Sequence, residues 1–264
     1  MSKVAVITGG SSGLGFSFAK QLGADGFRII ILARNKDRIE TAIKQLTQNN
    51  IQAQGISCDV TQENELREAA FQIKKEFGQI DFLIINAGEV STVLLTDYTS
   101  IPYLKKDLEI DLWGTIQTAY FFTPLLVNGS KLLLISSGFG LMGTAGYSVY
   151  CAAKAGIINF GESLRRELLH KKIGVYVACP GDMDTPQFQN EIKGQPQWMK
   201  TASPRKLMDV DLSAKKILKK CKGHARFLIS ISPDVNLLLF VSRILPRTWK
   251  DALLDVLFPR PKNL

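Results

Sequence analysis

The sequence has little of the residues that build metal sites. Its 264 residues include only two histidines and four cysteines, and no two cysteines stand at a CxxC spacing. A zinc site needs about four such ligands at regular spacing, so we expect no metal site. Cys58, Cys151, Cys179 and Cys221 fit small buried residues in a reducing compartment, which favours a cytoplasmic protein.

Long apolar runs are also missing. The N-terminus leads directly into VAVITGG, which is too short and wrongly flanked for a signal peptide. The tail, residues 235–264, is apolar, but charged residues and Pro246 interrupt it well before the ~18 residues of a membrane span. We expect two short amphipathic helices that meet at Pro246.

Basic residues are unevenly distributed. Residues 1–192 carry 18 Lys and Arg against 19 Asp and Glu, whereas residues 193–264 carry 15 against 5. A basic stretch (193–226) beside an apolar tail is typical of peripheral binding to an anionic membrane surface. Alternatively, the tail closes a substrate cleft or packs on another subunit. No nucleic-acid partner is expected, because no aromatic-interleaved RNA motif or reading helix is evident.

Short apolar runs alternate with amphipathic stretches along the chain. The apolar runs predict strands at 3–8, 28–33, 51–57, 81–86, 131–136, 174–179 and 226–230. Helical patterns follow at 13–24, 36–48, 62–76, 102–127 and 148–170. Continuous apolar strands between helices indicate a parallel sheet covered on both faces. We therefore predict one α/β domain over residues 1–264, a doubly wound Rossmann fold of about seven strands.

A glycine-rich stretch, TGGSSGLG (8–15), joins the first strand to the first helix. Its glycines allow a tight turn, and the helix N-terminus offers free N–H groups to a pyrophosphate. This context favours a dinucleotide site over a structural turn. The residues assigned to it are Gly9, Ser11, Ser12, Gly13, Leu14 and Gly15.

The ends of the next strands bear on the choice of coenzyme. Arg34 and Arg38 follow the second strand, where an acidic residue would favour NAD, so we expect NADPH or NADP. The alternative is a pair of surface arginines. An adenine ring is expected beside Asp59 and Val60. A close backbone approach is expected at the NAG sequence, Asn86, Ala87 and Gly88.

YCAAK (150–154) places Tyr150 and Lys154 one turn apart on one helix face. On its own the pattern also fits a lysine beside a half-buried tyrosine. Together with the glycine turn, NAG, a serine after the fifth strand and PGDMDT (180–185), however, it resembles the classical short-chain dehydrogenase/reductases over nearly the whole chain.

The resemblance implies a role for each matching residue. Tyr150 is the expected general acid/base, and Lys154 stabilises its phenolate and holds the nicotinamide ribose. Ser137, with Ser136 as second choice, is expected to donate a hydrogen bond to the substrate oxygen. The residues that the resemblance places at the nicotinamide carboxamide are Pro180, Gly181 and Thr185.

One position departs from the family pattern. The family usually has an asparagine in the helix before the fifth strand, where its backbone carbonyl helps to anchor a water relay to the lysine. Here IDLWG places Asp111 there. Asp111 can keep the backbone part of that role, and its carboxylate is expected to alter the pH optimum.

Within the family, the chain looks closest to the 3-ketodihydrosphingosine reductases. The matching strings are ARNKDR, GFGLMGTAGYSVYCAAK and DMDTPQF. The resemblance implies a homo-oligomer and a lipid-like substrate, met by a substrate loop region at 187–225. Phe188, Trp198 and Met199 are candidates to line its pocket, or are core. The alternatives are a reductase of a steroid or a 3-oxoacyl thioester, or a non-catalytic dinucleotide-binding regulator.

Overall fold

The computed structural model describes residues 2–97, 101–195, 199, 207–222, 227–244, 246 and 248–249. Seven strands form one parallel sheet in the order β3-β2-β1-β4-β5-β6-β7. They are β1 (Val4–Thr8), β2 (Arg28–Ala33), β3 (Ala53–Ser57), β4 (Ile80–Ile85), β5 (Leu126–Ile135), β6 (Gly174–Ala178) and β7 (Leu228–Ile229). The predicted doubly wound fold is confirmed.

Helices cover both faces of this sheet. They are α1 (Gly13–Ala24), α2 (Lys36–Gln48), α3 (Glu63–Phe77), α4 (Ile101–Asp107), α5 (Gly114–Phe122), α6 (Ser148–Leu168), α7 (Pro186–Gly194), α8 (Val210–Cys221) and α9 (Pro233–Ile244). Local signals set several ends. Asn35 caps α2 by accepting a hydrogen bond from the Arg38 backbone N–H, and α3 ends at Gly78, whose φ is +77°.

The core has two layers because side chains alternate across each strand. In β1, Val4 and Val6 pack on one face of the sheet, whereas Ala5 and Ile7 pack on the other. All five residues of β1 are buried. This two-sided burial explains the uninterrupted apolar run in the sequence. The four cysteines are buried free thiols, as expected.

The predicted helix at 102–127 is interrupted. A π-helix, Leu108–Trp113, lies between α4 and α5, and a short 3₁₀ turn leads into β5 at Leu126, five residues earlier than predicted. A π-helix takes more residues per turn, so it rotates the following side chains relative to an α-helix. Asp107 and Asp111 are both buried along this segment.

Residues 187–225 contain more regular structure than the sequence indicated. Helix α7 follows the carboxyl end of β6, whereas α8 packs against α1 and buries Ala214, Ile217 and Leu218. Phe188 and Met199 are buried, and Trp198 lies outside the described residues. In the tail, α9 runs to Ile244, and most of the predicted second helix after Pro246 is outside the described residues. Within the described ranges, every helix is too short or too polar to cross a bilayer.

The strand order reverses next to β1, because β2 continues the sheet on one side and β4 on the other. Crossovers from β1 and β4 then diverge to opposite faces and leave a crevice outside their carboxyl ends. Open parallel sheets bind ligands at such a point.

Candidate active site

A cavity of about 550 Å³ occupies this crevice. That volume is within the usual range for small-molecule and coenzyme sites. The predicted coenzyme residues that line it are Gly9, Ser11, Ser12, Gly13, Leu14, Arg34, Arg38, Asp59, Val60, Asn86, Ala87, Gly88, Tyr150, Lys154, Pro180, Gly181 and Thr185. Gly15 and Asp111 are not among the described lining residues.

The glycine turn is built for close packing. Gly9 has φ +64°, and a Cβ there would lie 2.9 Å from the Asn86 Nδ2 atom. A Cβ on Gly15 would lie 2.3 Å from the Gly9 carbonyl oxygen, so Gly15 allows α1 to start directly against the turn. Asn86 holds the same turn from β4, since its side-chain amide donates to the Thr8 carbonyl oxygen at 3.1 Å.

The start of α1 suits a phosphate group. Ser12 is the N-cap residue, and among the described residues its side chain makes no capping hydrogen bond. The first residues of α1 line the cavity, and their backbone N–H groups have no side-chain acceptor from Ser12. This set of donors, with room enforced by glycines, fits the pyrophosphate of a dinucleotide.

Arg34 directly follows β2 and lines the cavity, where its side chain lies near two acidic residues. Its guanidinium lies 3.9 Å from an Asp59 oxygen and 3.8 Å from a Glu89 oxygen, and its side chain is 58% exposed. Ion pairs of this length and exposure contribute little to the free energy of folding. Arg34 can therefore exchange them for a stronger anionic partner such as a phosphate.

Tyr150 and Lys154 lie on the buried face of α6. The Lys154 ammonium is 5.4 Å from the centroid of the Tyr150 ring. The Ser137 side chain lies close enough to Tyr150 to lower the pKa of the phenol by hydrogen bonding, whereas the Ser136 hydroxyl donates to the Lys154 backbone carbonyl at 2.8 Å. The geometry thus separates the two serine candidates, because only Ser137 is directed at the phenol.

The pKa of Tyr150 is raised well above its ordinary value, chiefly by burial and then by the charges of Asp111 and Glu191. The hydrogen bond from Ser137 acts in the opposite direction. Without coenzyme, this phenol is therefore held in its protonated form, which is the form that donates a proton.

Asp111 forms a buried ion pair with Lys154 but does not itself line the cavity. Its Oδ1 is 2.6 Å from the Lys154 Nζ, and the two side chains are 0% and 5% exposed. Burial raises the pKa of Asp111 to about 6, although Lys154 acts to lower it. Gly88 leaves room for the pair, because a Cβ there would lie 2.5 Å from Asp111 Oδ1.

Helix α7 closes one side of the cavity through residues that the sequence did not single out. The Tyr147 hydroxyl donates to Glu191 Oε1 at 2.5 Å, and Gln195 Nε2 donates to the same hydroxyl at 2.8 Å. Glu191 and Glu89 both line the cavity. Glu89 directly follows the NAG sequence and so had a positional signal, whereas Glu191 had none.

An apolar cluster adjoins Tyr150. Its members are Val90, Phe139, Tyr147, Tyr150, Cys151 and Met199. Phe139 packs edge-on against the Tyr150 ring, with centroids 6.4 Å apart. A molecule that presents a polar atom to Tyr150 and Ser137 therefore meets apolar side chains beside them.

Comparison with known proteins agrees with this geometry. Residues 3–196 match the sequence profile described as short chain dehydrogenase. The chain is 34% identical over 187 residues to "Carbonyl reductase family member 4" of Xenopus laevis, covering 70% of this chain and 77% of that protein. It is 31% identical over 187 residues to "3-oxoacyl-[acyl-carrier-protein] reductase" of Homo sapiens, with the same coverage.

The match to a plant relative covers only part of that protein. "11-beta-hydroxysteroid dehydrogenase-like 2" of Arabidopsis thaliana is 34% identical over 195 residues, which cover 71% of this chain but only 62% of that protein. Among solved structures, an actinorhodin polyketide ketoreductase with NADPH superposes with a TM-score of 0.79 at 21% identity, covering 89% of this chain and 97% of that one. A Burkholderia phymatum short-chain dehydrogenase with NAD gives 0.82 at 18% identity, covering 100% and 98%. At these identities the structures support the fold alone.

Proposed function

The chain belongs to the short-chain dehydrogenase family of oxidoreductases, which act on CH–OH and C=O groups, and we propose that it is an NADPH-dependent reductase of a long-chain lipid ketone. Its preferred substrate in this proposal is 3-ketodihydrosphingosine, which it reduces to dihydrosphingosine. The observation that carries the proposal is the group formed by Ser137 and the buried Tyr150 and Lys154 beside a cavity of dinucleotide type.

The chemistry follows from where these side chains lie. A nicotinamide coenzyme held by the residues that line the cavity would supply a hydride for the carbonyl carbon. Tyr150 donates its phenolic proton to the carbonyl oxygen, and Ser137 donates a hydrogen bond as negative charge develops there. Lys154 holds positive charge near the phenol, 5.4 Å from its ring centroid. The burial of Tyr150 and Lys154 keeps water from weakening these interactions.

The coenzyme in this proposal is NADPH rather than NADH. Arg34 lines the cavity next to Arg38, and both follow a strand that ends in Ala33 without an acidic residue. Among the described residues, the acidic partners of Arg34 are Asp59 and Glu89, and both contacts are long. A 2′-phosphate can replace them with closer, charge-assisted hydrogen bonds.

An apolar substrate is favoured by the side chains near the phenol. The cluster around Phe139 and Met199, together with the buried Phe188, offers apolar contact beside the reacting groups. The sequence strings shared with 3-ketodihydrosphingosine reductases favour the long-chain base. The second candidate is a 3-oxoacyl thioester or a steroid ketone, because relatives carry the names "3-oxoacyl-[acyl-carrier-protein] reductase" and "11-beta-hydroxysteroid dehydrogenase-like 2".

Two further parts of the proposal concern partners. A peripheral position on an anionic membrane is supported by α9, which exposes Leu237 and Phe240 by 61% and 62% next to the basic stretch of the sequence. Assembly as a homo-oligomer is supported by Trp113 and Tyr120, which are 55% and 74% exposed and lie seven residues, or about two turns, apart.

The direct test is NADPH oxidation with a panel of ketones: 3-ketodihydrosphingosine, a 3-oxoacyl thioester, a steroid and small aldehydes. We expect the highest kcat/KM with 3-ketodihydrosphingosine presented in detergent or vesicles. A higher value for the thioester or the steroid would select the second candidate. No oxidation of NADPH or NADH with any member of the panel, by protein shown to bind a dinucleotide, would favour the non-catalytic regulator.

A further inference from the structure

The ion pair between Asp111 and Lys154 is not needed for the hydride transfer itself. It lies in the interior, with 2.6 Å between Asp111 Oδ1 and Lys154 Nζ. Lys154 also donates to the Ile135 carbonyl oxygen at 3.4 Å. The Lys154 ammonium beside the phenol therefore has a carboxylate as its nearest partner. An inference about its purpose rests on the proposed role of Tyr150 as proton donor.

The ion pair changes the electrostatic environment of the Tyr150 phenol. A lone ammonium near a phenol favours the phenolate and lowers its pKa. A carboxylate against that ammonium cancels most of its charge at the distance of the phenol. In agreement, the pKa of Tyr150 is raised, by burial first and by Asp111 next, despite the nearby lysine.

The remaining titratable neighbours do not replace the cancelled charge. Those that act on Asp111, Lys154 or Tyr150 from the described elements are Asp107, Cys151, Cys179 and Glu191, and the Tyr147 ring packs against that of Tyr150 with centroids 6.3 Å apart. Glu89 and Lys106 act in turn on Asp107. Burial raises the pKa of Cys179 to about 12 and also raises that of Cys151, so both thiols are neutral near pH 7. Lys106 is 44% exposed and is paired with Glu89.

The position of Asp111 depends on the backbone around it. The π-helix Leu108–Trp113 directs its side chain inward, and the Glu89 backbone N–H donates to Asp111 Oδ2 at 3.4 Å. Gly88 admits the pair because a Cβ there would lie 2.5 Å from Asp111 Oδ1 and 3.2 Å from Lys154 Nζ. Three separate chain segments thus enclose one carboxylate that does not line the cavity.

We propose that Asp111 is a positioning residue that neutralises Lys154, keeps Tyr150 protonated into alkaline solution and so extends upward the pH range of ketone reduction. In each turnover the phenolic proton goes to the carbonyl oxygen while the hydride reaches the carbonyl carbon. The phenolate then regains a proton from water. A phenolate that is poorly stabilised takes up that proton more readily, which restores the donor at higher pH.

The test uses Asp111→Asn and, as the matched control, Asp107→Asn. Asp107 is also a buried carboxylate one turn earlier, but its oxygens accept hydrogen bonds from Ser91 rather than from Lys154. Two quantities are measured for each protein: the near-ultraviolet absorbance of the tyrosinate against pH, and the alkaline limb of kcat/KM for NADPH-dependent reduction. Subtracting the titration of the matching variant that also carries Tyr150→Phe isolates Tyr150 from the other tyrosines.

In Asp111→Asn, we expect both the Tyr150 titration and the alkaline limb to move to lower pH by about one unit or more. Asp107→Asn should stay close to wild type. If the titration and the alkaline limb of Asp111→Asn both coincide with wild type, the proposal is overturned. Asp111→Ser serves the same test if the asparagine variant does not fold.

These outcomes are distinguishable from a failure of the proposed function. The titration needs no substrate, so a wrong substrate assignment leaves it unaffected. If Tyr150 is not the proton donor, Tyr150→Phe keeps its activity even where the titration of Asp111→Asn has shifted.

Discussion

The hydroxyl of Tyr147 donates a hydrogen bond to the Glu191 carboxylate, 2.5 Å away, and so joins the start of α6 to α7. Tyr147 is 1% exposed and lies three residues before Tyr150. Helix α7 supplies Phe188 and Glu191 to the wall of the cavity. The contact therefore connects the helix of Tyr150, the proposed proton donor, to the segment that lines the cavity.

Loss of this contact should speed the release of coenzyme. A hydrogen bond to a charged group contributes about 1.5–3 kcal/mol, so Tyr147→Phe should accelerate NADPH dissociation by about tenfold or more. Stopped-flow fluorescence of displaced NADPH measures the rate. Gln189→Ala is the control, because it removes an exposed bond to Asp184 from the same helix. Equal release rates for Tyr147→Phe and wild type would show that the contact does not hold α7 over the coenzyme.

Tyr150→Phe should nearly abolish turnover while NADPH still binds. The variant keeps the ring that packs against Phe139 but loses the proton donor. General acid catalysis is typically worth about 10²–10⁴-fold in rate. Steady-state kcat with the best substrate and NADPH fluorescence titration provide the two readouts, and Tyr176→Phe, in β6, is the control. A near-normal kcat for Tyr150→Phe would rule out the mechanism proposed here.

Arg34→Ala should raise the KM for NADPH much more than that for NADH. The guanidinium lines the cavity, and its present acidic contacts are long. Loss of a charged hydrogen bond to the 2′-phosphate costs about 1.5–3 kcal/mol, or roughly ten- to a hundredfold in KM. Arg28→Ala is the matched control, since Arg28 lies at the opposite end of β2 and bonds to Gln52. Similar increases in KM for both coenzymes would show that Arg34 does not bind the 2′-phosphate.

The membrane hypothesis is best tested on the exposed face of α9. Deleting the tail from residue 235 is a poor test, because Val235 is 5% exposed and packs in the core. The double variant Leu237→Ser/Phe240→Ser changes exposed side chains instead. We expect the wild type to sediment with anionic vesicles at low salt and to be released by high salt, because the attraction of each basic residue, about 1 kcal/mol, is screened.

The double variant should bind these vesicles less well at both salt concentrations, because it loses the apolar contribution. Leu169→Ser, which changes an exposed leucine just after α6, should bind like wild type. If the folded wild type does not sediment with anionic vesicles even at low salt, the tail is left as a cleft lid or a subunit contact.

The sequence predicted the sheet well because each strand and turn has a local signal. Buried parallel strands are uninterrupted apolar runs, and β2 was predicted with the bounds that the structure shows. The helix at 102–127 was predicted less well, because the spacing of apolar residues in the sequence does not reveal the extra residues of a π-turn. Helix α8 was not predicted, because its lysine-rich face concealed the apolar face that packs against α1.

The sequence could predict candidate site residues because a phosphate turn and a Tyr–Lys pair need fixed residue types at short spacing, and the fold brings these candidates together at one cavity. Local order also placed Ser136 and Ser137 at the right strand end, but only the fold showed that Ser137 faces the phenol while Ser136 bonds to the backbone of α6. The partners of the catalytic groups were decided by tertiary structure alone. Asp111 meets Lys154, and Glu191 meets Tyr147, across elements that are distant in the chain. Such charge contacts depend on how helices pack in space, and no short-range pattern in the sequence encodes that packing.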